Sequence, residues 1–360
     1  MQIRHPPKHR NYDTLFITYC IIDSLKFKII LEKTQRKDNS MNISTYFKIQ
    51  TNGHKDLDFV DIDDVKDTKL FIDPYVIQAL DDSLCSEAQR CIDSFFKELF
   101  IACKTRNLKR LRYLLKHASE PNETNLGMKT KSRYGKGSTA KELSVLFLEF
   151  YKLVSQNPNI ESDPLALCMY IKNFDKDKMS DLITNIIRKQ LYDFTLQQVN
   201  KYNVDLYDEP ISLGYFWNPD LLTWEELKGK PLCTNQGTVL LVPKRIVRSR
   251  YVFNVEIYIK QYILTVLQKE HLDNQSDLCT KRESKNGKIT IYPPTKKYLY
   301  EKEVNGTIHK DYAFNYSKEN RITEEAFLTS ILKRIRNNEG KLSDDELDRI
   351  VYGNQFRVAS

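Results

Sequence analysis

Glycine is scarce in this chain, with 11 in 360 residues. A nucleotide-binding fold built on repeated glycine-rich βα turns needs more of them, because the tight turn and the close approach of backbone to phosphate both require a residue without a Cβ. Long apolar runs are missing too. The best stretch, Leu15 to Ile30, is interrupted by Thr18, Asp23, Ser24, Lys26 and Lys28. That excludes the roughly 18 consecutive apolar residues of a spanning helix. The first residues carry Arg4, Lys8, Arg10 and Asp13, with no small-residue cleavage site behind an apolar segment, so no signal peptide is expected. Seven cysteines (20, 85, 91, 103, 168, 233, 279) include no CxxC pair. An odd, widely spaced set suits reduced, mostly buried thiols in a cytoplasmic protein rather than a disulfide framework or a zinc knuckle. The six histidines are scattered and offer no metal-ligand spacing.

Aromatics are abundant, with 21 Tyr and 17 Phe, and apolar residues make up 41%. A chain of this kind can bury a core and is not disordered. The net charge of +8 permits a polyanionic partner without demanding one. The patterning predicts an α+β fold of mixed helices and short sheets in two subdomains. Residues 1–40 read as an N-terminal extension, 41–209 as a mainly helical α+β domain, and 210–360 as a β-hairpin-rich domain with C-terminal helices. Within these, strands are expected over 45–51 (before an Asn52-Gly53 turn), 70–72, 238–243 and 251–258, and a hairpin over 281–302 with Asn286-Gly287 at its tip. Helices are expected over 86–118, 140–155, 163–170 and 178–203, with a helix pair over 323–351 capped at Thr323 and Ser343.

Four groups of residues could carry chemistry. On the helix expected over 178–203, Met179, Leu182, Ile183, Ile186, Ile187 and Phe194 share an apolar face. The opposite line holds Asp177, Asp181, Thr184, Asn185, Arg188, Tyr192 and Thr195. Short carboxylates and amides have few rotamers to lose and suit a metal or phosphate site, but the same line reads equally as a buried polar contact between helices. Asp73 ends an apolar strand and precedes Pro74. With Glu120, Glu123 and Asn125 it could hold Mg²⁺ for phosphodiester cleavage, although Asp-Pro is also an ordinary helix start. The E-x-K triplets (Glu226-Leu227-Lys228, Glu283-Ser284-Lys285, Glu339-Gly340-Lys341) occur in helix-like or turn contexts, against a PD-(D/E)xK nuclease. Gly135-Lys136-Gly137-Ser138-Thr139 could cradle a phosphate at a helix start, without the spacing of a Walker loop. Finally, Lys244, Arg245 and Arg248, close in sequence to Trp217, Tyr251, Tyr258 and Tyr262, suit a nucleic-acid backbone or a plain exposed strand. A further cationic run, Lys104 to Lys116, reads as a polyanion contact or a solvated face.

The segments DTKLFIDPYVI, EPNETNLGMKTKSRYGKGSTAKEL, DKMSDLITNIIRKQLYDFT and VLLVPKRIVR resemble a bacterial protein family of unassigned chemistry, found in restriction and phage-defence gene neighbourhoods. The resemblance covers about 41–300. Its matching positions are Asp67, Asp73, Glu120, Glu123, Gly127, Gly135, Gly137, Asp177, Ser180, Asp181, Asn185, Lys244 and Arg248. It implies a bacterial cytoplasmic protein working on or near foreign nucleic acid, and supplies no mechanism.

The expectation is therefore an anti-phage defence effector acting on nucleic acid, with a Mg²⁺-dependent nuclease as its chemistry. Asp73, Glu120, Glu123, Asp177 and Asp181 would be catalytic, Asp73 and Asp181 holding the metal. Lys136, Asn185, Arg188, Lys244, Arg245 and Arg248 would hold phosphates. The alternative is a non-catalytic sensor or adaptor binding a phage component or a partner defence protein, anchored by Tyr215, Phe216, Trp217 and Trp224. No membrane contact is expected on either reading.

Overall fold

The computed structural model describes residues 40–128, 149–156 and 165–353. Contacts separate Met1–Met41 from Asn42–Ser360, and the described fold belongs to the second unit. It is α+β: helices predominate, and the strands form two-stranded antiparallel pairs.

The chain runs through a short helix α1 (Ile43–Tyr46), strand β1 (Phe71–Ile72), α2 (Pro74–Ala79), α3 (Ser83–Lys104) and α4 (Leu108–Leu114). After α5 (Leu165–Tyr170) come α6 (Lys176–Ile186) and α7 (Arg188–Tyr202). Four strands follow: β2 (Ile211–Asn218), β3 (Thr223–Gly229), β4 (Leu232–Thr234) and β5 (Gly237–Val239), then β6 (Val247–Arg248). The C-terminal part holds α8 (Val255–Ile257), which runs on through a π-helical stretch into α9 (Leu264–Asp273), then β7 (Thr280–Glu283) and β8 (Ile289–Tyr292). It ends in α10 (Lys296–Leu299), α11 (His309–Glu319), α12 (Arg321–Arg336) and α13 (Asp344–Tyr352).

Local chemistry accounts for the element starts. Asp73 accepts the Tyr75 amide at 3.0 Å and Pro74 fills the first turn of α2, so the helix-start reading of Asp73-Pro74 holds. Asp82 caps α3 by accepting from Cys85 N, and Asp175 caps α6 by accepting from Asp177 N. Ser343 and Glu346 form a reciprocal capping box on α13. The expected helix over 86–118 breaks at Arg106, whose φ is +56°. The expected 178–203 helix breaks at Ile187 between α6 and α7, yet its apolar face is buried throughout, from Met179 at 0% exposure to Phe194 at 4%.

Several strand expectations fail. Residues 43–46 form α1 rather than joining a strand over 45–51, because Asp61 captures the Ser44 amide and hydroxyl from across the fold. Residues 255–263 are helical because Asn254 caps Ile257 N and the turns bury Tyr258, Ile259 and Ile263. Glu226-Leu227-Lys228, expected in a helix or turn, lies on β3. The 281–302 hairpin is present as β7–β8, shorter than expected. α12 begins before Thr323, at Arg321.

One apolar core gathers residues from Ile43 to Leu347. The β2–β3 hairpin packs on α3: the Phe95 and Trp217 ring centroids stand 5.2 Å apart, and Trp217 Nε1 donates to Ser94 Oγ at 2.8 Å. Trp224 Nε1 donates to Leu114 O at 3.0 Å. Both tryptophans are buried core groups and offer no surface anchor to a partner, contrary to the sensor expectation. Tyr215 remains accessible, stacked on His117 at 4.0 Å. Among the described residues no helix is long and apolar enough to cross a membrane.

Candidate active site

The two residues of β1 join the centre of the fold. β1 pairs antiparallel with β6, and Ile72 N also donates to Ser180 Oγ on α6 at 2.9 Å. The first turns of α6 are thereby fixed beside the loops 63–68 and 119–128. Thr68 N donates to Asn125 O, and Gly127 N returns the bond to Thr68 O at 2.9 Å. Gly127 has φ +137°, and a Cβ there would stand 2.9 Å from Asp177 Oδ1. Only glycine lets this backbone close on the carboxylate, and the next amide, Met128 N, donates to Asp177 Oδ1 at 3.1 Å.

Four half-buried carboxylates meet here: Asp67, Glu120, Asp177 and Asp181. Asp177 and Asp181 stand one helical turn apart on α6. Burial, then the charges of Asp177, Glu120, Asp67 and Asp175, hold the Asp181 carboxyl well above the usual carboxylate range. Burial raises Glu120, with Asp67 and Asp177 adding to it. Burial also raises Asp177 against the lowering by the Met128 amide, with Asp175 and Asp67 adding to the rise and Lys176 opposing it. Lys176 Nζ donates to Ser249 O and stands 4.4 Å from the Phe71 ring centre. As they stand, no three His, Cys, Asp or Glu side chains among the described residues form a ready-made metal cage.

The other expected site residues are placed differently. Asp73 is fully buried and caps α2; the charges of both Asp73 and Asp181 act on the Tyr251 hydroxyl, which donates to Ile72 O and Lys176 O. Burial pushes the Asp73 carboxyl up to about 6, against the helix-start amides and the Arg248 charge. Its Oδ2 has no hydrogen-bond partner among the described residues, nor has Arg248 Nε. Asp73 thus serves as the buried cap of α2, while Asp181 stands with Glu120, Asp177 and Asp67.

Glu123, Asn185 and Arg188 form a structural knot. Arg188 donates to Leu213 O at 3.0 Å and to Asn185 Oδ1 at 2.7 Å, and pairs with Glu123 at 3.3 Å. Asn185 Nδ2 donates to Ser119 O at 2.6 Å, which brings Glu120 beside Asp181. The remaining polar line of this helix pair bonds to backbone: Thr184 to Ser180 O, Thr195 to Leu191 O, Tyr192 to Lys230 O.

The basic segment is committed as well. Residues 244–246 form a 3₁₀ turn rather than an exposed strand. Lys244 Nζ binds His54 O and Asp344 Oδ1, holding α13. Arg245 grips Asp82 through two nitrogens, and Arg248 is buried on Val247 O and Arg245 O. Lys244 and Arg245 are thus committed to ion pairs and Arg248 to backbone carbonyls of its own segment, while the Arg245 side chain keeps partial exposure. Lys136 and the Gly135–Thr139 segment lie outside the described residues.

Asp67 is the cluster member that sequence reasoning left out of the catalytic set. It lies in an acidic stretch with Asp58, Asp61, Asp63 and Asp64; the family resemblance singled it out among them without a role, and the fold places it with the other acids.

Residues 48–254 match the model of the DUF8370 family, a domain of unknown function. The chain belongs to this family. No curated protein and no solved structure matches it. The DUF8370 span contains all four carboxylates and ends before the C-terminal helices and the β7–β8 hairpin.

Proposed function

We propose that this DUF8370 protein is a divalent-cation-dependent enzyme that cleaves phosphodiester bonds in nucleic acid, with Asp67, Glu120, Asp177 and Asp181 as its acidic centre. The observation that carries the reading is the gathering of half-buried carboxylates from three segments, in which the charges of Asp67, Glu120 and Asp177 add to burial in raising Asp181, and those of Asp67 and Asp177 do the same for Glu120. Such a group binds protons or a metal ion, since either removes the repulsion. Mg²⁺ keeps several of its waters and needs only one or two protein carboxylates, the rest of its shell coming from substrate phosphate. The lack of a three-ligand cage is therefore compatible with this ion. Asp177 and Asp181 are the natural holding pair: both project from one rigid helix, and the Met128 amide fixes the Asp177 oxygen. The ion would polarise the phosphate and supply a bound water of lowered pKa. Glu120, with its raised pKa, is suited to carry a proton to or from the reacting oxygens. The role in anti-phage defence, and the cytoplasmic setting, follow from the family that the sequence resembles and are part of this proposal.

The test is cleavage of plasmid, single-stranded DNA and RNA with Mg²⁺, Mn²⁺ or EDTA, by the native chain and by Asp177→Asn. Metal-dependent cutting that Asp177→Asn loses while keeping its fold supports the reading. Cutting that survives EDTA, or survives in the variant, overturns it.

A further inference from the structure

Outside the DUF8370 span, the β7–β8 hairpin differs from every other sheet in the fold. Among the described residues its strands pair only with each other, in the register Thr280↔Tyr292, Lys281↔Ile291, Arg282↔Thr290 and Glu283↔Ile289. Every residue from Thr280 to Thr290 is exposed, so neither face is a core face. The base is fixed: Gln268 on α9 donates to Pro294 O at 2.7 Å, Pro294 is buried, and Cys279 Sγ donates to His271 O. The tip is a compact loop, closed by Ser284 N on Lys288 O at 2.9 Å, with Gly287 at φ +74° supplying the left-handed residue. A two-stranded ribbon gains little stability from its own packing in water. What this one does is hold a set of side chains away from the body of the protein.

Those side chains have a definite chemistry. Alternation along the strands puts Thr280, Arg282, Thr290 and Tyr292 on one face. That face carries hydrogen-bond donors and a cation, with the Arg282 guanidinium 5.3 Å from the Tyr292 ring centre. The tip adds Lys285, Asn286 and Lys288. From 280 to 297 the chain holds Lys281, Arg282, Lys285, Lys288, Lys296 and Lys297 against the single acid Glu283.

We propose that the β7–β8 ribbon is a DNA-binding arm that enters the major groove of a B-form duplex. The dimensions agree: four residues per strand at ~3.4 Å each give about 14 Å of reach, against a groove about 12 Å wide and about 8.5 Å deep that admits a two-stranded ribbon. The cations at the tip and edges meet phosphates, while Arg282, Thr290 and Asn286 carry the donors and acceptors that base edges require. The deep, narrow major groove of A-form RNA does not admit such a ribbon. The inference rests on the nucleic-acid reading above and narrows it to duplex DNA.

The test is fluorescence anisotropy of a labelled DNA duplex in EDTA over a series of salt concentrations, using the full chain carrying Asp181→Asn so that no cutting occurs. In that background Arg282→Ala/Lys285→Ala/Lys288→Ala should lose about tenfold or more in affinity. It should also lower the slope of log K against log salt by about 2, since Lys285 and Lys288 each lose a phosphate contact that contributes about 0.9. A control, Lys104→Ala/Lys109→Ala/Lys116→Ala, removes the same charge from the other cationic run and should leave the slope intact. The proposal fails if the ribbon variant binds as the unsubstituted ribbon does, if both variants lose affinity equally, or if duplex RNA or heparin competes as well as duplex DNA. Loss of cutting in the native chain with ribbon binding intact would count against the acidic centre and not the ribbon; cutting without ribbon binding would do the reverse.

Discussion

The two ends of helix α6 both carry polar side chains and have opposite fates. At its N-terminal end, Asp177 and Asp181 face the charge of Asp67, and Asp181 that of Glu120 as well, and their carboxyls are pushed up. At its C-terminal end, Asn185 and, just beyond it, Arg188 are bonded to Ser119 O, Glu123 and Leu213 O. The difference lies in the company each end keeps. Polar groups whose partners are other polar groups of the fold stabilise it. Like charges that oppose one another weaken the fold, and proteins retain such strain at sites where something else binds.

The comparison can be broken most forcefully at the paired end. Arg188→Met should destabilise the protein by about 3–5 kcal/mol, because it leaves Glu123, Asn185 and Leu213 O without their buried partner; urea unfolding measures this. A loss of under about 0.5 kcal/mol, the range of an ordinary surface change, would remove the distinction between the two ends.

Asp73 supplies the next largest effect. Its folded pKa of about 6, against an ordinary 3.8, means that the folded state binds its proton more tightly than the unfolded chain. Its stabilising contribution is then complete below pH 3.8 and is lost as the pH rises through about 6. The full swing is about 3 kcal/mol at about 1.4 kcal/mol per unit. Asp73→Asn keeps an acceptor for the Tyr75 amide and carries no charge, so it should flatten this part of the stability–pH curve and raise stability at pH 7. Unchanged pH dependence would show that Asp73 is already ordinary in the native protein.

An effect of similar size is expected where α13 docks. His54 Nε2 accepts the Asp61 amide, so its proton sits on Nδ1 and is donated to Asp348 at 2.6 Å. Asp348→Ala strands that buried donor and the His54 amide, at about 1–3 kcal/mol for each group left unsatisfied. Faster amide exchange confined to α13 and residues 53–61 should report it; uniform acceleration across α3 as well would mean that α13 is not a separate unit.

Asp181→Asn should have the smallest effect on stability and in the opposite direction. It removes one of four repelling charges, so the melting temperature at pH 7 should rise, and the gain should shrink as the pH falls to 4 and the native group takes up its proton. A lower melting temperature at pH 7 would mean that Asp181 holds the fold.

Some of this was legible in the sequence. The apolar face of α6 and α7, the Asp73-Pro74 start, the Ser343 cap and the Asn286-Gly287 hairpin follow from spacing and turn chemistry, which act over a few residues. The splitting of the polar line was not legible, because whether Asp181 or Arg188 is paired depends on Glu120, Glu123 and Leu213, all distant in sequence. The same holds for Lys244, Arg245 and Arg248: a run of cations looks free until Asp344, Asp82 and Asp73 are brought to it by the fold. Trp217 and Trp224 read as surface anchors because nothing in β2 or β3 records that α3 covers them. Asp67 had no local mark of a role.

The most direct test of the central claim is thermal unfolding at pH 7 with and without Mg²⁺, for the native chain and for Asp177→Asn/Asp181→Asn. An ion that binds the folded acidic centre at about ten times its Kd adds about 1.4 kcal/mol, a rise of about 2–5 °C for a fold of this size. The native melting temperature should rise with Mg²⁺ and the double variant should stay where it is. An equal rise in both, or none in the native chain, would contradict the account.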